Sequence, residues 1–137
     1  MALYDDCILF RLAKAYQKVQ SRWKARLNSY GLTPMQFLVL EALYEEEGLS
    51  VGEIGKRLVL DNATLSGVLD RMAEGGWVRK NTADEDRRLL QIFLTPKAKA
   101  SRTKLIQEGK EANEEVLIGF RMEERLLLNR MLKDLQK

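Results

Sequence analysis

The chain has 137 residues, a formal net charge of +3, 45% hydrophobic side chains and 31% charged ones, which suits one packed domain with no room for a second catalytic module. It has no histidine and one cysteine, Cys7, and no stretch nears the ~20 apolar residues of a membrane span; no metal site, cofactor, catalytic residue, internal disulfide or membrane contact is expected. Net charge runs +4 over residues 1–30, −4 over 31–47, +2 over 48–100 and +1 over 101–137, an interleaving that permits a nucleic-acid partner without demanding one.

Leu12, Tyr16, Val19, Trp23, Leu27 and Tyr30 recur every three or four residues and predict a long amphipathic helix ending at Gly31. Thr33-Pro34-Met35-Gln36 supplies an N-cap, a proline at the first helical position and a glutamine placed to close a capping box. The helix it opens carries Phe37, Leu38, Leu40, Leu43 and Tyr44 and is expected to stop at Gly48. Ser50-Val51-Gly52-Glu53 repeats the capping-box spacing before a short helix burying Ile54 and Leu58. Leu60-Asp61-Asn62 breaks the period and caps another helix, with Leu65, Val68, Leu69 and Met72 inward and Gly75-Gly76 as a left-handed stop.

The periodicity then changes. Trp77-Val78-Arg79-Lys80 reads as a short strand and Thr82 to Asp86 as a polar turn. Beyond it Arg88, Leu90, Ile92 and Leu94 alternate with Leu89, Gln91 and Phe93. A two-stranded hairpin is expected, resting on the helices before it. Thr95-Pro96 starts a last helical region, read as two helices over about 96–117 and 121–136, broken near Gly119.

A capped short helix, a tight turn, a second capped helix and a hairpin spell a winged helix-turn-helix, a mainly α fold with a small β wing. On the second helix Asn62, Ala63, Thr64, Ser66, Gly67, Asp70 and Arg71 are small or polar, while its apolar side is committed to a core. Small residues at a helix N-terminus let backbone approach DNA, free N–H groups attract phosphate, and hydroxyls donate to phosphates or base edges. The alternative is an ordinary solvated helix surface. At the hairpin tip Asp84, Glu85 and Asp86 adjoin Arg87 and Arg88, with Arg79 and Lys80 on the facing strand. A carboxylate that holds a guanidinium fork in place would let one arginine reach a minor groove; a self-neutralising solvated turn is the plainer reading.

From about residue 8 to 105 the chain resembles the MarR family of bacterial transcriptional regulators. The similarity rests on Gly31-Leu32-Thr33-Pro34-Met35-Gln36-Phe37, Leu49 to Ile54, Leu65 to Met72, Gly75 to Lys80, and Asp86-Arg87-Arg88 with Ile92-Phe93-Leu94-Thr95. Ala98 stands where the family usually has glycine. The resemblance implies a homodimer on a pseudo-palindromic double-stranded DNA operator, Asp86 orienting Arg88 into the minor groove with Arg87 beside it. The expected DNA-binding set is Ser50, Asn62, Ala63, Thr64, Ser66, Gly67, Arg71, Arg79, Asp86, Arg87 and Arg88. One domain is expected over 1–137, with a DNA-binding lobe at about 33–95 and a helical dimerisation region at about 1–30 and 96–137. The apolar faces of the end segments call for a dimer independently, a monomeric helical bundle being the alternative.

Tyr16, Trp23, Phe37 and Tyr44 are candidates to line a small-molecule effector pocket, against a plain core role. Cys7 is a candidate redox site because Leu60 to Leu65 resembles the peroxide-sensing branch of the family; a small hydrophobe in a dimer interface is the other reading, and Asp5 and Asp6 disfavour a neighbouring thiolate. Those two acids also stand where a signal peptide would need positive charge, so a reducing cytoplasm is expected. The functional expectation is a sequence-specific repressor released by a small molecule or a redox signal. A winged-helix adaptor without DNA contact is the competing class.

Overall fold

Side-chain caps set most of the helix starts, and the computed structural model shows them bond by bond over residues 2–58, 60–83 and 86–137, with residues 83 and 86–88 described by backbone alone. A 3-10 turn at Leu3–Asp6 leads into α1 (Ile8–Leu27), which closes through a second 3-10 turn, Asn28–Tyr30, and Gly31 at φ 71°. Helix α2 (Pro34–Glu45) opens on the expected reciprocal box. Thr33 Oγ1 accepts from the Gln36 N–H at 3.1 Å, and Gln36 Oε1 accepts from the Thr33 N–H at 3.0 Å.

Helix α2 ends at Glu45, before the expected Gly48, because the chain turns there into a strand that sequence patterning missed. Strand β1 (Leu49–Ser50) pairs antiparallel with β3 (Asp86–Leu94) in the register Leu49↔Ile92 and Ser50↔Gln91. Gly48, at φ 79°, donates its N–H to Ile92 O at 2.9 Å and receives the Gln91 side-chain amide on its own carbonyl at 3.2 Å. The hairpin partner β2 (Val78–Ala83) lies on the other side, giving a three-stranded sheet in the order β1-β3-β2 in place of two strands.

Between β1 and β2 stand α3 (Val51–Leu58) and α4 (Asn62–Glu74). Helix α4 stops in a Schellman arrangement: Trp77 N–H donates to Met72 O at 2.9 Å and Gly76 N–H to Ala73 O at 3.1 Å. Only Gly76 is left-handed, at φ 78°; Gly75, at φ −76°, completes the helix. The expected helix at 96–117 is two, α5 (Pro96–Ala100) and α6 (Arg102–Leu117). Ser101 divides them, its hydroxyl donating to Lys97 O at 3.0 Å, the local competition with helix backbone to which serine is prone. Helix α7 (Met122–Leu135) follows.

The core joins Phe37, Leu40 and Leu43 of α2, Ile54 of α3, Leu65, Leu69 and Met72 of α4, Ile92 and Leu94 of β3, and Leu105 of α6. This packing seats the base of the wing on the helix pair, as a short sheet requires. Val39 belongs to the core, whereas Leu38, one of the apolar positions read on this helix, is exposed on the side that faces α1 and an open cavity. The expected apolar stripe of α1 is buried only at its C-terminal end, at Leu27, and the apolar side chains of α7 are not buried in the protomer. Arg26 clasps α1 to α6: its Nη1 meets Glu111 Oε2 at 2.6 Å and Glu108 Oε2 at 3.7 Å, and its Nη2 meets Glu115. The hydrogen bond to Glu115 is the leading cause that raises the guanidinium further, and bonds from Gln107 and then Arg26 hold the Glu111 carboxyl below its usual range.

Candidate nucleic-acid interface

Helix α4 begins where Asp61 turns the chain. Its Oδ1 accepts from the Thr64 N–H at 2.8 Å and its Oδ2 from the Thr64 hydroxyl at 2.9 Å. Those two bonds, backbone first, hold the Asp61 carboxyl below the ordinary range, so the cap is a charged one. Thr64 therefore already donates its hydroxyl proton inside the protein and offers an outside partner only an acceptor.

Beyond the cap Asn62, Ala63, Ser66 and Arg71 are exposed and Gly67 half-buried, while Leu65, Val68, Leu69 and Met72 are buried. The expected open face is thus present on the solvent side of α4. The Arg71 side chain lies back along the helix over Gly67: a Cβ there would meet its guanidinium nitrogens at 3.8 and 4.0 Å, ordinary contact distances that leave room for a side chain.

Ser50 departs from expectation. It is 8% exposed, and its hydroxyl accepts from the Glu53 N–H at 3.1 Å while donating to Glu53 Oε1 at 3.1 Å. It is a cap for α3, not an available donor, since one hydroxyl has one proton to give.

On the wing, Arg79 is exposed and its guanidinium carbon lies 5.8 Å from the Phe93 ring centroid, a cation–π contact across the hairpin. Lys80, half-buried beside it, donates its ammonium to Asp70 Oδ1 on α4. The backbone of Asp86 pairs with Ala83 where β3 begins. The side chains of Asp86, Arg87 and Arg88, with the whole of Asp84 and Glu85, lie outside the described residues.

The four aromatic residues proposed for an effector pocket do not converge. Tyr16 and Trp23 line a cavity of about 190 Å³ between α1 and α2, with Met35 and Leu38 opposite. Phe37 is 2% exposed and belongs to the core. Tyr44 is on another side of α2, where its hydroxyl donates to Ala98 O at 2.6 Å and it borders a depression with Glu47, Lys99 and Arg102. Burial pushes the Tyr44 hydroxyl up to about 12, against the opposing effect of Arg102. Periodicity placed Phe37 and Tyr44 on one helix with Leu38 but not on its separate sides. Cys7 is exposed at the step from the first 3-10 turn into α1.

The acidic run at the end of α2 acquires a role that charge counting hid. Glu47 Oε1 accepts from the Leu94 N–H at 2.9 Å, its Oε2 stands 3.7 Å from Lys99 Nζ, and Glu46 receives Arg57. These carboxylates tie the end of β3, α5 and α3 to the end of α2. Only long-range pairing could reveal it.

The family model of the MarR family matches residues 30–89. The HTH-type transcriptional regulator TtmR of Methylorubrum extorquens is 40% identical over 101 residues, which are 74% of this chain and 52% of TtmR. The chain thus spans about half the length of that relative. The HTH-type transcriptional regulator SarZ of Staphylococcus aureus is 30% identical over 101 residues, 74% of this chain and 67% of SarZ. Among solved structures, a mutant of MarR from Escherichia coli complexed with operator DNA matches with a TM-score of 0.90 at 26% identity, covering 100% of both chains.

Proposed function

Because the chain belongs to the MarR family, we propose that it is a cytoplasmic transcriptional regulator that binds a pseudo-palindromic operator as a homodimer and represses until a signal releases it. The observation that carries this reading is the solvent-open α4 face, capped at Asp61, small-residued at Ala63 and Gly67, and flanked by Arg71 and the wing's Arg79. Such a helix end brings backbone N–H groups and short side chains to a major groove. Asn62 and Ser66 are the base-edge or phosphate donors, Arg71 and Arg79 the phosphate contacts, and Thr64 an acceptor. Arg88 enters the minor groove, steadied by Asp86, with Arg87 beside it.

Residues 33–95 form the reading lobe in this account, and 1–30 with 96–137 join the two copies. In support, Leu3, Ile8 and Leu9 at one end and Ile118, Met122, Leu126 and Leu135 at the other are all more than half exposed. Apolar faces of that extent mark an interface. The cavity beside Tyr16 and Trp23 is the effector site, and Cys7 is the place where oxidation would act. At about 190 Å³ the cavity falls short of the usual ~300 Å³ lower bound for ligand pockets, so it takes a compact molecule. Arg88→Ala should lower duplex affinity by ~1–3 kcal/mol with no change in the unfolding midpoint. An Arg88→Ala protein that binds as tightly as the parent would remove the wing from the reading.

A further inference from the structure

Two charged residues outside the contact set above meet across it. Asp70 stands on the open face of α4 beside Arg71, with its side chain 62% exposed, and Lys80 stands in β2 beside Arg79, with its side chain 28% exposed. The Lys80 ammonium donates to Asp70 Oδ1, a bond from reading helix to wing strand. The neighbouring cations are held elsewhere: Arg71 lies along α4 over Gly67, and Arg79 lies against Phe93. A carboxylate on a surface that meets phosphates opposes every complex unless a cation neutralises it. A lysine free to swing attracts any phosphate, whatever the sequence around it.

We infer that Asp70 is a specificity-setting, positioning residue of this surface, an inference that rests on the DNA-binding reading. It holds the Lys80 ammonium against α4 and withholds one cation per protomer from duplexes whose phosphates stand in the wrong place. An ammonium has three donors, so Lys80 can keep Asp70 and still receive a phosphate oxygen that arrives where the ammonium already is. A phosphate placed elsewhere can be reached only by leaving Asp70, whose bared carboxylate then repels it. The penalty falls on misplaced complexes, which is discrimination by repulsion. An exposed pair of this kind adds little to folding stability, so its removal leaves a folded protein to assay.

The test compares the parent, Asp70→Asn, Lys80→Met and the double variant on two probes: a duplex recovered by selection on the parent, and a shuffled duplex of equal length. Each is titrated across salt, with thermal unfolding as a control. Asp70→Asn should bind the shuffled duplex more tightly and with a steeper salt dependence, by about 0.9 in log–log slope for each phosphate newly contacted. For two protomers its advantage should shrink about tenfold between about 50 and about 200 mM salt. The selected duplex should gain less, so the ratio of the two affinities falls. In the Lys80→Met background, Asp70→Asn should steepen nothing. If Asp70→Asn keeps the parent's slope and discrimination, the inference is overturned. If the steepening persists without Lys80, Asp70 acts by its own charge and the positioning claim is overturned. A parent for which selection recovers no duplex refutes the DNA-binding reading itself and this inference with it, whereas a discriminating parent with an equally discriminating Asp70→Asn refutes the role of Asp70 alone.

Discussion

At Gly55 helix α3 packs tightly against the turn that leads into α4, so alanine there should destabilise the protein while alanine at Gly52 in the same helix does the reverse. A Cβ built at Gly55 would stand 2.9 Å from the Leu60 carbonyl oxygen, 3.3 Å from Asn62 Oδ1 and 3.7 Å from a Leu65 methyl. The Leu60 carbonyl cannot swing away freely, because its own N–H donates to Gly55 O at 2.9 Å and Asp61 caps α4 next in the chain. An ordinary carbon–oxygen approach is ~3.3 Å, so the turn must open by about 0.4 Å. Overpacking of this size costs about 1–3 kcal/mol, against a gain of about 1 kcal/mol for alanine over glycine in a helix. The balance is a loss of up to about 2 kcal/mol, with displacement of the start of α4. At Gly52 the nearest atom is Ser50 Oγ at 4.0 Å, so alanine fits and stabilises by up to about 1 kcal/mol. Urea midpoints of the full chain, taken at one protein concentration because association shifts apparent stability, give both signs. A Gly55→Ala midpoint above the parent's would refute the close approach on which the helix-turn-helix geometry stands.

Thr33→Ala removes the side-chain acceptor of the α2 box and should cost about 1 kcal/mol in the same assay, with Thr33→Ser retaining most of it. Tyr44 supplies a pH test. Its folded-state hydroxyl is raised to about 12, so the stability linked to it is fully present below the ordinary tyrosine value of about 10 and is lost as pH rises through that window. Tyrosinate absorbance should therefore show one tyrosine titrating about two units late in the folded protein, and Tyr44→Phe should abolish both that late step and its share of the alkaline loss. A Tyr44→Phe protein whose alkaline titration matches the parent's would contradict the buried bond to Ala98.

Most of what could be read in advance was local. The Thr33–Gln36 box, the Asp61 cap, the left-handed stop at Gly76 and the inward set Leu65, Val68, Leu69 and Met72 depend on spacings of a few residues, and each is present. What escaped is long-range or too short to carry a period. Strand β1 is two residues long, and Ser50 serves both it and the α3 cap, so its sequence reads as a cap alone. The bond from Glu47 to the Leu94 N–H spans chain segments that no window joins. Tyr44 and Phe37 failed as pocket residues because α2 packs on several sides, so membership of one helix says little about membership of one cavity. On the candidate interface, the exposed α4 residues were legible as a polar face. The Asp70–Lys80 bond was not, because each charge taken alone looks like solvated surface.

In the proposed reading, two copies of the chain present their α4 faces and wings to one duplex. Selection of bound duplexes from a random library by the full chain, followed by sequencing, tests it most directly. An enriched inverted repeat is expected, with half-sites about one helical turn apart, ~10–10.5 base pairs, or a multiple of that. A pool that stays random after selection, or one that converges on a single unrepeated motif, would contradict it.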